Sequence, residues 1–215
     1  MNQEIEASWD KFLNPDSLKK NLIAGGLFLT AYEMLKESLI GYPRDMYWEG
    51  IKNGETIVSS RYSTEVRALN EDLLTASCLW WKKQAILDDS DISKIKAIRE
   101  HRHAIAHEMP RFLQTTEANI QVEYLPQIAA IVKKIDQWWI LEVEIPTNPD
   151  FDNRELTKDE CSGVMSMRMI VLDLMIPLSV GDDSRLREIY EGWKDGIQRR
   201  QKAERTPESR SDREA

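Results

Sequence analysis

The sequence predicts an all-α fold, and three observations carry that prediction. Its apolar residues recur at helical spacing rather than alternating. Its nine glycines and eight prolines fall mainly between those apolar runs. Apolar residues make up 41% and charged residues 31%, the balance of an ordered, globular chain. A length of 215 residues suits one domain with a substantial core, expected over 1–203. The charged, proline-interrupted tail over 204–215 is expected to be disordered.

A short amphipathic helix is expected over 4–12. Asp16 can cap a long helix to about residue 40, with Gly41 and Pro43 as its stop. The stretch GYPRDMYWEGIKNGETIVSS keeps no period and reads as an irregular connection, with at most a short strand over 56–59. A second long helix is expected over 64–87. The run DDSD then offers caps for a third, starting near Ile92. Pro110 cannot donate to the helical ladder, so this third helix should end or kink just past His107. A fourth helix is expected over 125–143, and TNPDFDN forms the next loop. The capping box of Thr157 and Glu160 opens a helix to about residue 178. The last helix, begun near Asp183 or Ser184, reaches about residue 202. Of the pairs Trp80, Trp81 and Trp138, Trp139, one indole each is expected in the core and one at its boundary. Met165, Met167, Met169 and Met175 are read as packing.

Bulk properties exclude several function classes. Cys78 and Cys161 lie far apart without a CxxC partner, which argues against a disulfide framework or zinc knuckle and suits a reducing cytoplasm. The start MNQEIEASWDKF lacks the basic and apolar regions of a secretory signal. The longest apolar segment, 22–32, falls short of the roughly 20 residues that span a bilayer, so no membrane span is expected. A net charge of −8 leaves no broad cationic surface for nucleic acid. Any such contact must be local, and 94–111 supplies the place: Lys94, Lys96, Arg99, Arg102 and Arg111 outnumber Glu100 and Glu108.

The same section, IREHRHAIAHE over 98–108, holds all three histidines of the chain. At about 100° per residue, Ile95, Ile98, Ile105 and Met109 fall within roughly 60° of Arg102, with Ile92 and Phe112 at the edges of the stripe. Arg102 thus stands in the middle of an apolar face. A guanidinium cannot shed its charge, so it needs a carboxylate such as Glu33, Glu37 or Asp173, or a polar cavity that accepts a ligand. His103 and His107, four residues apart, share one flank of the stripe with Arg99, while His101 leaves from the opposite flank. Ala104 and Ala106 are small neighbours that leave room for a cleft. The i, i+4 histidine pair would also suit zinc, with Glu100 or Glu108 as a further ligand.

The six residues Arg102, His103, Ala104, Ile105, Ala106 and His107 resemble the Arg-x4-His motif of the HEPN superfamily (higher eukaryotes and prokaryotes nucleotide-binding). The resemblance implies an antiparallel helical bundle with a HEPN-like four-helix core and additional helices, paired into a homodimer with the motif helices facing each other. It implies a metal-independent endoribonuclease of the kind found in toxin–antitoxin, abortive-infection and CRISPR systems, with no cofactor. RNA would be the substrate, and an antitoxin or other regulatory protein a further partner. Arg102 and His107 would then be catalytic, with His103 as an auxiliary, and Arg99 and Lys96 would hold the RNA backbone. The chemistry fits these residue types. RNA carries its own nucleophile in the 2′-hydroxyl, so a near-neutral histidine and a fixed arginine suffice for proton transfer and charge stabilisation. A non-catalytic HEPN-type subunit that binds RNA, nucleotides or a protein partner is the alternative.

Overall fold

The computed structural model describes residues 3–151 and 156–205. Residues 1–180 form one compact unit and 181–215 a second, and each is described by itself. The fold is all-α apart from one small hairpin.

Helix α1, Gln3–Leu13, leads into α2, Pro15–Asp45. The cap of α2 is Asn14 rather than Asp16: its side chain accepts the N–H groups of Asp16 and Ser17, and Pro15 supplies a first-turn residue that needs no N–H partner. The helix also runs past Gly41 and Pro43, its expected stop. Pro43 has no N–H to offer the Leu39 carbonyl one turn back. The indole Nε1–H of Trp81 donates to that carbonyl instead, at 3.0 Å, so tertiary packing supplies the bond that proline withholds.

The expected irregular connection is a β-hairpin, β1 Trp48–Lys52 against β2 Glu55–Val58. Asn53 and Gly54 close it with φ of 56° and 81°, a two-residue turn whose twist matches antiparallel strands. The second long helix is broken in two. A short α3, Ser60–Glu65, and a 3-10 turn, Arg67–Leu69, precede α4, Leu73–Lys83. The break has a local cause: Asp72 accepts the Thr75 N–H as the cap of α4, and its own N–H turns back to the Asn70 side chain.

Helix α5, Asp89–Gln114, opens on a capping box between Asp88 and Asp91. It kinks at Glu108, where φ and ψ are −123° and 26°, two residues before Pro110 and just past His107 as the sequence predicts. Helix α6, Tyr124–Trp139, continues through a π turn, Ile140–Glu144, into the single turn of α7, Ile145–Thr147. Residues 152–155 of the expected loop lie outside the described residues. The Thr157 and Glu160 box is present but opens only α8, Lys158–Gly163. A second box, Ser166 with Met169, then starts α9, Met167–Ser179, so the one expected helix is two. In the second unit α10 spans Ser184–Arg205 and takes in the first residues of the expected tail; residues 206–215 lie outside the described residues.

Helix α2 is the hub of the first unit, packed against α1, α4, α5, α6 and α9. Its Phe28, Leu35 and Leu39 meet Trp81, Ile98, Ile105, Ile128, Ile135 and Leu172 in one core. Gly25 permits a close approach to α5, since a Cβ there would lie 2.7 Å from Cε of Met109. Trp80 and Trp81 are both buried, whereas Trp138 is the boundary member of its pair. Met169 and Met175 pack as expected, but Met165 and Met167 are exposed at the break before α9.

Where α2, α6 and α9 meet, Asp136 is fully buried. Ser38 donates to one of its oxygens at 2.9 Å, and Ser166 and the Nε of Arg168 donate to the other. Arg168 also donates to the Tyr42 hydroxyl, and the Tyr42 ring stacks on Trp139. Burial and the neighbouring Asp136 push the Tyr42 hydroxyl up to about 12.

Candidate functional site

The apolar stripe of α5 is buried as its spacing requires: Ile95, Ile98, Ile105 and Phe112 all enter the core. Arg102 stands among them but does not end in the core. Its guanidinium passes over the ring of Tyr32, 5.4 Å from the centroid, and emerges to meet Glu33 of α2 at 2.9 Å. Of the three carboxylates that the stripe allowed, Glu33 is the partner. The pair is partly open, with side-chain exposures of 34% for Arg102 and 47% for Glu33. The inner Nε of Arg102 is buried and has no hydrogen-bond partner. Burial acts to raise the Glu33 carboxyl, but hydrogen bonds and charge from Lys36 and Arg102 together outweigh it and hold the group below its ordinary value.

One turn earlier, Arg99 grips Asp72 with both terminal nitrogens, at 2.7 and 2.9 Å. Asp72 is the cap of α4, so this pair fastens α5 to the start of α4. The hydrogen bond from Arg99 holds the Asp72 carboxyl far below the usual range; burial opposes this, and bonds from Thr75 add to it.

Between the two pairs lies a cleft of about 640 Å³, lined by Tyr32, Glu33 and Lys36 of α2, Thr75 of α4, and Lys96, Arg99, Glu100, Arg102 and His103 of α5. Lys96 is exposed at the rim and makes no ion pair among the described residues. The structure thus brings Lys96, Arg99, Arg102 and His103 together around one opening. His107 stands one turn beyond this lining, its ring centroid 4.3 Å from that of His103, and both imidazoles are exposed. Because the kink follows immediately, His107 occupies the last regular turn of this part of the helix.

His101 has a different place. It is half-buried among Phe28, Phe112 and Tyr124, and its Nε2 accepts the Gln121 N–H at 2.9 Å. That bond requires a neutral ring with its proton on Nδ1. Burial pushes its pKa below the ordinary histidine value, opposed by Glu123. His101 therefore ties α5 to the segment leading into α6.

Sequence reasoning missed Lys36, Thr75 and Asp72, and placed Glu33 only as one of three options. Glu33 and Lys36 leave α2 one turn apart, but nothing in the sequence says which face of α2 meets Arg102. Asp72 was legible as a cap, given Asn70 two residues before it, but its pairing with Arg99 is a tertiary fact.

Among the described residues no three His, Cys, Asp or Glu side chains gather as a metal site, so the zinc alternative for His103 and His107 finds no further protein ligand in place. No described helix is long and apolar enough to cross a membrane. No protein-family model, curated protein or solved structure matches the chain.

Proposed function

We propose that the cleft receives an RNA backbone and that the protein is a HEPN-type endoribonuclease working without a metal. The observation that carries this reading is the convergence of Arg102, His103 and His107 on adjoining turns, with Lys36 and Lys96 at the rim of an open cleft. Arg102 is the phosphate ligand in this reading: it is held by the Tyr32 ring, and its one carboxylate partner is half-exposed, so a phosphoryl oxygen can replace it. His107 takes the 2′-hydroxyl proton or delivers one to the leaving 5′-oxygen, and His103 bonds the phosphate or orients His107. The products are a 2′,3′-cyclic phosphate and a 5′-hydroxyl. One imidazole does not serve as base and acid in the same pass, so the mechanism pairs two copies of the cleft about a two-fold axis. Arg99 contributes to the backbone only by releasing Asp72, and Lys36 only by releasing Glu33, which leaves Lys96 as the readier cation. A toxin or defence role, restrained by an antitoxin or other regulator in the cytoplasm, rests on the motif resemblance alone.

The Glu33 contact favours a second reading, in which the cleft binds RNA, a nucleotide or a partner without cutting, because Arg102 already has a carboxylate to neutralise it. The two readings separate in one experiment. Purified protein is incubated with total RNA in chelator, and the new ends are mapped. Cyclic phosphates are expected, and Arg102→Ala and His107→Ala should each reduce cleavage by about 10²- to 10⁴-fold while the thermal transition is retained. Binding without cleavage, or cleavage that survives both substitutions, would remove the enzymatic reading.

A further inference from the structure

Helix α10 carries an apolar face that has no use in the cleft. Leu186, Ile189, Tyr190 and Trp193 recur at i, i+3, i+4 and i+7 and are 40–56% exposed, and Ile197 extends the stripe. Tyr190 and Trp193 lie nearly parallel with ring centroids 5.9 Å apart, and the Lys194 ammonium sits over Tyr190. These contacts order two large aromatic side chains before any partner arrives, which lowers the entropy cost of using them as anchors.

The charge along α10 is polarised. Over 182–191, four carboxylates, Asp182, Asp183, Glu188 and Glu191, stand against two arginines, whereas 192–202 carries four cations against Asp195 alone. An antiparallel pair of such helices sets the acidic end of each against the basic end of the other, and opposes their dipoles favourably. A parallel pair sets like against like, and an anionic lipid surface would repel the acidic half. We propose that α10 is a homotypic interaction surface, pairing antiparallel with α10 of a second copy, with Tyr190 and Trp193 at its centre. The stripe is short, about 17 Å at 1.5 Å per residue, so the pairing is reversible and concentration-dependent. The surface is separate from the paired clefts of the RNA-cleavage reading: a dimer held by the clefts alone would be unmoved by substitutions in α10.

Sedimentation velocity of the full chain across micromolar concentrations, at low and high salt, tests it. A monomer–dimer equilibrium that weakens with salt is expected, and Trp193→Glu should weaken it about tenfold or more with helicity by circular dichroism unchanged. Asp182→Lys/Asp183→Lys and Arg199→Glu/Arg200→Glu should each weaken self-association, and their equimolar mixture should restore it. That rescue cannot come from a lost helix cap. A wild type that stays monomeric throughout overturns the proposal, as does a Trp193→Glu protein that dimerises normally or a mixture without rescue. A monomer that binds phosphatidylserine vesicles through α10 overturns it in favour of a membrane surface.

Discussion

Two arginine–carboxylate pairs link helices of the first unit, Arg168–Asp136 between α9 and α6 and Arg102–Glu33 between α5 and α2, and the settings of their carboxylates differ. Arg168, itself 26% exposed, reaches inward to Asp136, a fully buried carboxylate that also takes the hydroxyls of Ser38 and Ser166. Arg102 meets Glu33 at the wall of a cleft, where both side chains keep contact with solvent and the guanidinium Nε has no partner. A buried carboxylate with its lone pairs satisfied is costly to disturb, because the donors gathered around it lose their acceptor, and without them it stays buried and charged. An exposed pair contributes little, because water and salt replace each partner at low cost. The first pair is suited to holding helices together and the second to exchanging one anion for another.

The largest effect that can break this contrast is at the buried end. Asp136→Ala strands Arg168, Ser38 and Ser166 around a void and should cost about 3–5 kcal/mol of stability, read as a lower denaturant midpoint. A loss under 1 kcal/mol would put the two pairs in the same class. Next comes the Trp81 contact to the carbonyl that Pro43 leaves open. Trp81→Phe keeps most of the apolar volume but leaves the Leu39 carbonyl unpaired, and should cost about 1–3 kcal/mol. Adding Pro43→Ala should recover part of that loss, since the alanine N–H can take up the carbonyl; the double-mutant cycle measures the coupling.

The contrast also marks what the sequence could and could not say. The apolar stripe around Arg102, the kink after His107 and the capping box at Thr157 were legible because each depends on residues within a few positions. The hairpin was missed although Asn53-Gly54 is a strong local turn signal, because its mostly exposed strands carry no alternating apolar pattern to flank that turn. The breaks in the expected helices at Asp72 and Ser166 were overlooked for a similar reason, because apolar spacing runs across them and hides a new cap. The Arg99–Asp72 and Arg102–Glu33 pairings join residues 27 and 69 positions apart, and only the packing of α2, α4 and α5 selects them.

His101 gives an intermediate effect, graded by pH. Its folded pKa is depressed by burial, so between that value and the ordinary 6.5 the unfolded chain binds more protons than the folded one. Its contribution is therefore fully present above 6.5 and is lost as pH falls through the folded pKa, as protonation also breaks the Gln121 bond. Urea midpoints between neutral and mildly acidic pH, compared with those of His101→Phe, should show the wild type losing more stability over that window. Parallel curves would mean that the ring is neutral for no energetic reason.

The smallest expected effect on stability is at Glu33, and it sharpens the contrast most. Glu33→Gln removes the charge from a half-exposed partner while keeping an oxygen that can accept from Arg102. The stability cost should stay below about 1 kcal/mol, with little further change as salt is raised. Anion binding should move the other way. With its competitor neutralised, Arg102 should bind a non-cleavable 2′-deoxy oligonucleotide more tightly, and the gain should shrink at high ionic strength, as befits a charge-dependent contact. Because the deoxy strand has no 2′-hydroxyl, this measurement reports on the cleft without asking for cleavage. If Glu33→Gln instead destabilised the fold as strongly as Asp136→Ala and left binding unchanged, Arg102 would be a structural residue that happens to reach the surface.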